Sequence, residues 1–297
     1  MSLSKGRRRR LKRVQAEPLA ARQARKGRIA LAGTSALGLA ACGWLLWSNF
    51  SSGASNQRLE FLQLQVLRTF HHDRQAFTQG LLWHRAKLYE STGQYGHSTL
   101  RRLDPQTGRV EQRLDLNSRY FGEGLALQGG RLIQLTWRAE TALIHGLESL
   151  EPTGRMRYQG EGWGLCWDGR RFIMSDGSSL LTFRDGETFS PTGRLQVTLR
   201  GRPLNRLNEL EFAQDSIYAN VWQQDFIVRI DPGSGRVTGQ IDASGLLPRS
   251  QAPGADVLNG IAYNPRSDTF YLTGKYWPQM FEVRFVARNP PAEAQRR

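Results

Sequence analysis

The sequence is poor in cysteine, histidine and acid, and it shows almost no helical periodicity. Two cysteines occur in 297 residues, Cys42 and Cys166. Cys42 lies in an apolar segment near the start, so no disulfide can staple the region beyond residue 50. That region, about 240 residues, is long enough to rely on a core of its own. The histidines are His71, His72, His84, His97 and His145. Only the first two are neighbours, and adjacency is not ligand spacing, so no zinc site is read. No Ser-His-Asp arrangement stands out, and no phosphate loop is present. Acids number 26 against 41 Lys and Arg, a net charge of +15. The excess is local. Residues 1–28 hold eleven Lys or Arg and one Glu, which places +10 there and leaves +5 for the rest. The remaining arginines are dispersed, so the body of the chain carries no nucleic-acid footprint.

The basic arm leads into a stretch without charge, Ile29 to Phe50. Its length of about 22 residues suits a membrane-spanning helix. Trp44 and Trp47 lie towards its far end, where interfacial aromatics are expected, and the arginines before it put the N-terminus in the cytoplasm. The expectation is a bacterial inner-membrane anchor with the bulk of the chain in the periplasm. An alternative stays open: Leu39-Ala40-Ala41-Cys42 resembles a lipobox, with lipidation at Cys42. Both readings export the domain. Residues 51–60, rich in Ser and Gly at their start, read as a linker.

Beyond the linker, short apolar or alternating runs are punctuated by Gly, Asp and Pro, an all-β pattern. The runs repeat. Gln79-Gly80-Leu81, Glu123-Gly124-Leu125, Trp163-Gly164-Leu165, Asn208-Glu209-Leu210 and Asn259-Gly260-Ile261 recur at intervals of about 40–50 residues. A second strand follows each. In the first four repeats a third strand, a turn and a fourth strand come next. The turns are assigned to Asp104–Arg109, Pro152–Arg155, Ser190–Arg194 and Asp231–Arg236, from Pro early and Gly late. Four strands per repeat of this length predicts a five-bladed β-propeller over residues 61–286. The fifth repeat lacks its fourth strand. The unmatched run Leu62 to Phe70 is expected to supply it and close the ring. Residues 287–297 read as a disordered tail.

In such a fold the heads of the first strands face a common axis. The ring would be Gln79, Glu123, Trp163, Asn208 and Asn259, a polar pocket and the default binding site. The second strands bring Trp137, Trp222 and Lys275 towards it. Glu123 sits in Tyr120-Phe121-Gly122-Glu123-Gly124, and an acid crowded by aromatic surface has a raised pKa, suited to proton transfer. Cys166, among apolar neighbours, reads as core.

These stretches resemble the plant-type glutaminyl-peptide cyclotransferases, a family with bacterial members and five-bladed propellers. The resemblance is carried by Ala76-Phe77-Thr78-Gln79-Gly80-Leu81, Phe121-Gly122-Glu123-Gly124, Leu135-Thr136-Trp137, Glu161-Gly162-Trp163-Gly164-Leu165, Asn208-Glu209-Leu210-Glu211, Ala219-Asn220-Val221-Trp222, Leu258-Asn259-Gly260-Ile261 and Thr273-Gly274-Lys275-Tyr276-Trp277. It implies cyclisation of an N-terminal glutamine to pyroglutamate with loss of ammonia, on a peptide or protein substrate and without a catalytic cofactor. A structural metal ion in the channel is left open. The implied pocket is Phe77, Gln79, Phe121, Glu123, Trp137, Trp163, Asn208, Trp222 and Lys275, with Asn259 added from the ring. Glu123 would relay the proton, and Lys275 and Asn208 would steady the oxyanion. Two rivals remain: a calcium-dependent lactone hydrolase using Glu123, Asn208 and Asn259 as ligands, and a propeller that binds peptide without catalysis.

Overall fold

The computed structural model describes residues 58–288, apart from 249 and 251. The basic arm, the apolar span with Cys42, most of the linker and residues 289–297 lie outside the described residues. Within them the fold is all-β, with no α-helix and no helix long and apolar enough to cross a membrane.

The strands fall into antiparallel groups of four. β1 (Glu60–His71) comes first. The first sheet is β2 (Thr78–His84), β3 (Lys87–Thr92), β4 (Thr99–Leu103) and β5 (Val110–Asp115). The second is β6 (Gly122–Gln128), β7 (Arg131–Thr136), β8 (Thr141–Gly146) and β9 (Pro152–Arg157). The third is β10 (Leu165–Trp167), β11 (Phe172–Met174), β12 (Leu180–Arg184) and β13 (Pro191–Gln196). A ribbon of β14 (Thr198–Leu199) and β15 (Arg202–Pro203), absent from the sequence expectation, comes next. Then come β16 (Leu207–Ala213), β17 (Ser216–Val221), β18 (Phe226–Ile230) and β19 (Val237–Asp242). The last group is β20 (Leu258–Asn264), β21 (Thr269–Gly274) and β22 (Gln279–Ala287).

β1 completes that last group. It runs antiparallel to β22 from Leu62↔Ala287 to His71↔Gln279. Its first residues also pair in parallel with β19, from Glu60↔Gly239 to Gln63↔Asp242. The fourth and fifth repeats are therefore one eight-stranded sheet, where the sequence predicted two separate blades. β1 begins at Glu60, inside the expected linker. β22 runs to Ala287, and the Arg288 N–H donates to Phe61 O, so regular pairing extends into the expected tail.

The first strands stand side by side: β2 against β6, β6 against β10, β10 against β16, β16 against β20, and β20 against β2. The apolar core divides accordingly. One buried cluster lies between each neighbouring pair of strand groups, for example Leu100 and Leu125 with Leu132 between the first two sheets. Cys166 belongs to the cluster between the third sheet and β16–β19. Inner strands are buried on both faces, whereas β9 and β13 are largely exposed.

That exposure explains an error in the sequence reading. Pro152–Arg155 and Pro191–Arg194 are not turns but the polar outer strands β9 and β13, where Pro is tolerated at an edge. All four turns nonetheless share one geometry. The N–H of Gly108, Leu150, Phe189 and Gly235 donates to the carbonyl of Asp104, Gly146, Asp185 and Asp231 respectively. All four donors have φ between 59° and 72°. Gly108 and Gly235 fit that conformation freely. Leu150 and Phe189 pay for it with burial, at 1% and 0% exposure.

Candidate active site

The heads of four inner strands are bulged, and the bulges hold four of the ring residues; Trp163 instead precedes β10, whose register with β11 does not shift. The register of β2 on β3 shifts between Thr78 and Gly80, which isolates Gln79. Shifts in the second, fourth and fifth groups place Glu123, Asn208 and Asn259 two-against-one opposite their partner strands. A bulge bends the strand and re-aims a side chain, a device common beside active sites. The glycine after Glu123 answers a close approach: a Cβ on Gly124 would lie 2.5 Å from Leu165 N. That approach allows the Gly124 N–H to donate to Trp163 O, tying the second sheet to the third.

Three ring residues are joined directly. Asn259 Nδ2 donates to Gln79 Oε1 at 3.2 Å, and Gln79 Nε2 donates to Glu123 Oε1 at 2.8 Å. Glu123 is 4% exposed and Lys275 5%. Burial pushes the Glu123 carboxyl well above the ordinary 4.5, the Lys275 charge and the Gln79 bond pull it down, and the Glu161 charge adds to the rise. Burial lowers Lys275, while Glu123 and Asp256 oppose that. The result is a carboxyl that holds its proton to higher pH than usual and an amine that gives up its proton more readily than usual, each within the other's field.

The aromatic residues form two runs. Trp222 meets Trp163 edge-on at 5.8 Å. Trp137 meets Phe121 at 5.5 Å, Phe121 meets Phe77 at 5.9 Å, and Lys275 Nζ lies 4.5 Å from the Phe77 ring centre. The second-strand residues reach the site by one repeated bond. The N–H groups of Gly93, Trp137, Trp222 and Lys275 donate to the carbonyls of Phe77, Phe121, Arg206 and Val257. Gly93 leaves room for Phe121, whose ring would lie 2.3 Å from a Cβ there.

Asn208 is buried, and its Oδ1 has no hydrogen-bond partner among the described residues. It makes no direct bond to Glu123 or Lys275, so only its placement at a strand head joins it to the group. Among the described residues no cluster of three His, Cys, Asp or Glu could hold a metal.

Sequence reasoning passed over several residues. Glu161 accepts the indole N–H of Trp137 at 2.8 Å and of Trp163 at 3.0 Å, both on Oε2. It stands two before Trp163, as Phe77 stands two before Gln79 and Phe121 two before Glu123, and that offset was the available signal. Tyr95 and Tyr276 also pack on Phe121 and Phe77. Glu123 is not the sole acid at the strand heads. Glu209 adjoins Asn208, but its oxygens accept the N–H of Leu81 at 3.2 Å and of Ile261 at 2.9 Å. It is occupied in binding three inner strands together. Glu123 also has charge and hydrogen-bond partners that the sequence did not reveal.

Comparisons with known proteins fit this geometry. A family model described as glutamine cyclotransferase matches residues 39–285. The glutaminyl-peptide cyclotransferase of Arabidopsis thaliana is 39% identical over 243 residues, covering 80% of this chain and 76% of that protein. The crystal structure of Myxococcus xanthus glutaminyl cyclase is similar with a TM-score of 0.72 and 40% identity, over 78% of this chain and 100% of that one. Sequence and fold thus agree over most of the length, and the chain belongs to the glutamine cyclotransferase family.

Proposed function

We propose that this chain is a glutaminyl-peptide cyclotransferase, an enzyme that converts the N-terminal glutamine of a peptide or protein to pyroglutamate and ammonia. Family membership supports the reaction. The observation that carries the local chemistry is the buried Glu123, bonded to Gln79 at 2.8 Å and within the field of Lys275.

The reaction needs no enzyme nucleophile. The neutral α-amine of the substrate attacks its own γ-carboxamide carbon, forming the ring C–N bond. The tetrahedral intermediate then expels the amide nitrogen as ammonia. Glu123 takes a proton from the attacking amine and returns it to the departing nitrogen, so the carboxyl ends as it began. Lys275 stabilises the oxyanion. Asn208, with hydrogen-bonding capacity to spare, serves the same oxygen or the carboxamide N–H. Phe77, Phe121, Trp137, Trp163 and Trp222 supply the apolar walls that receive the glutamine side chain and exclude water. Gln79 and Asn259 orient Glu123 from below.

In this reading the strand groups are five blades of a propeller around the axis at which the bulged heads meet, with β1 closing the last blade. Residues 29–50 anchor the chain in the inner membrane and hold residues 61–286 in the periplasm, or Cys42 carries a lipid instead.

The deciding experiment is ammonia release from a glutaminyl dipeptide by the full-length chain, with and without a chelator. Release that survives chelation is expected. No ammonia release together with a chelator-sensitive hydrolysis of a lactone would favour the lactone-hydrolase reading, and binding of the peptide without either turnover would favour a non-catalytic domain.

A further inference from the structure

Glu161 accepts hydrogen bonds from three side chains, and the proton relay does not use it. Its Oε2 takes both indole N–H groups, and its Oε1 accepts Arg138 Nε at 2.9 Å. Arg138 in turn lies over the Trp137 ring, 3.8 Å from its centre. Trp137 follows β7 of the second sheet, and Trp163 precedes β10 of the third. Both indoles are half-buried. Packing alone leaves such rings free to change rotamer, and each free ring has entropy to lose when substrate arrives.

The carboxylate also joins two aromatic groups. On one side is the run Trp137–Phe121–Phe77. On the other is the pair Trp163–Trp222. Glu161 bridges the two through the indole N–H of one member of each. Bonds from N–H groups to an ionised oxygen are about twice as strong as neutral ones. Burial works against the charge on Glu161, but the bonds from Trp163, Trp137 and Arg138 outweigh it and hold the carboxyl below its ordinary range. The clamp therefore stays charged at neutral pH.

Resting on the cyclotransferase reading, we infer that Glu161 is a positioning residue: it locks Trp137 and Trp163 into one wall and so sets the shape of the pocket that receives the glutamine side chain. The wall touches substrate and transition state alike. Its loss removes binding common to both, which raises KM and leaves kcat nearly unchanged. That separates Glu161 from Glu123, whose loss acts on kcat.

The test uses the full-length chain with the carboxylate removed (Glu161→Ala) or replaced by its amide (Glu161→Gln). Glu161→Ala is expected to raise KM for a glutaminyl dipeptide about tenfold, with kcat within about threefold. Glu161→Gln should recover most of the lost affinity, because one amide oxygen can accept both indoles although the Arg138 pair is lost. Hydrogen exchange of the Trp137 and Trp163 indole N–H groups, followed by NMR on tryptophan-labelled protein, reads the clamp without catalysis. Exchange should quicken in Glu161→Ala and stay slow in Glu161→Gln. An unmodified chain that releases no ammonia while its indoles remain protected would sink the cyclotransferase reading and leave the clamp standing. A folded Glu161→Ala with unchanged KM and slow exchange would overturn the clamp. So would a Glu161→Gln as impaired as Glu161→Ala. Should Glu161→Ala fail to fold, Trp137→Phe removes one donor and keeps the carboxylate; its KM should rise severalfold, and no change would also overturn the proposal.

Discussion

Gln79 donates its side-chain amide to Glu123 at 2.8 Å across the seam between the first two sheets. Its own amide oxygen is held by Asn259 at 3.2 Å, so a line of three side chains from three strand heads fixes the carboxyl. Replacing Glu123 by Gln keeps the size and an acceptor for Gln79 but removes the proton relay. Single-turnover ammonia release at saturating peptide is expected to fall about 10²-fold or more. Because Lys275 loses its counter-charge, substrate affinity will shift as well, and saturation keeps that from obscuring the result. Near-normal release from folded protein would move the base elsewhere.

The pH dependence has a sign. Burial holds the Glu123 carboxyl above 4.5, while Lys275 draws it down. A base must be ionised, so kcat/KM should climb as pH rises through the raised value. Replacing Lys275 by Met removes the downward pull, and the acidic limb should move to higher pH. A limb that stays put or moves down in the Lys275→Met profile would remove Glu123 from the role of base.

Much of the fold could be read from the chain, because each repeat marks its innermost strand with the same small motif. The ring of Gln79, Glu123, Trp163, Asn208 and Asn259 came from aligning those motifs, and three of its members are hydrogen-bonded to one another. Two things escaped. Outer strands such as Pro152–Arg157 are exposed at most positions and carry Pro and Gly, so they imitate turns. Glu161 escaped because its offset from Trp163 marks only its nearness to the strand head, whereas the second indole it accepts, that of Trp137, comes from a different sheet. The parallel contact of β1 with β19 was equally hidden, since parallel pairing leaves no turn in the sequence.

The turns allow a comparison of opposing terms. Leu150 holds φ 59° with its side chain 1% exposed. A left-handed conformation costs about 1–2 kcal/mol, and removing a buried leucine costs roughly 2–5 kcal/mol. Leu150→Gly should therefore destabilise the fold despite relieving the backbone. At Gly108 a Cβ would lie 1.7 Å from His71 O, so Gly108→Ala should destabilise it too. Urea denaturation measures both; a stabilised Leu150→Gly would show that strain, not burial, dominates the turn.

His72 and Glu90 are buried together at 2.9 Å, and Arg101 lies 3.8 Å from the second Glu90 oxygen. Burial lowers His72, yet Glu90 and the Trp277 carbonyl raise it overall above 6.5. Burial raises Glu90, yet His72, Arg101 and Thr78 bring it below 4.5. The His72 contribution is complete below 6.5 and fades as pH climbs through its raised value. The Glu90 contribution is complete above 4.5 and fades as pH falls through its lowered value. Replacing His72 by Leu takes from the buried carboxylate its partner at 2.9 Å, and a loss of roughly 3–5 kcal/mol is expected. Stability measured across pH should lose its alkaline decline in that variant. An unchanged decline would place its origin elsewhere.

Glu209 bonds to backbone N–H groups of both β2 and β20. Glu209→Ala leaves two buried donors without acceptors, at about 1–3 kcal/mol each. The melting temperature should fall by several degrees while KM changes little. A loss of activity in a fully folded variant would instead bring Glu209 into the chemistry.

The first strand of the fold is among the last to find its place. β1 pairs with β22, whose residues come more than two hundred positions later. On a ribosome, Glu60–His71 emerges early and must wait, with Phe61, Val66 and Leu67 exposed even in the finished fold. Contacts so distant in sequence slow folding, and an unpaired apolar strand invites wrong partners in the interval. For this protein the hazard lies in synthesis rather than in the finished state, because the first strand has no β22 to pair with until nearly the whole chain has been made.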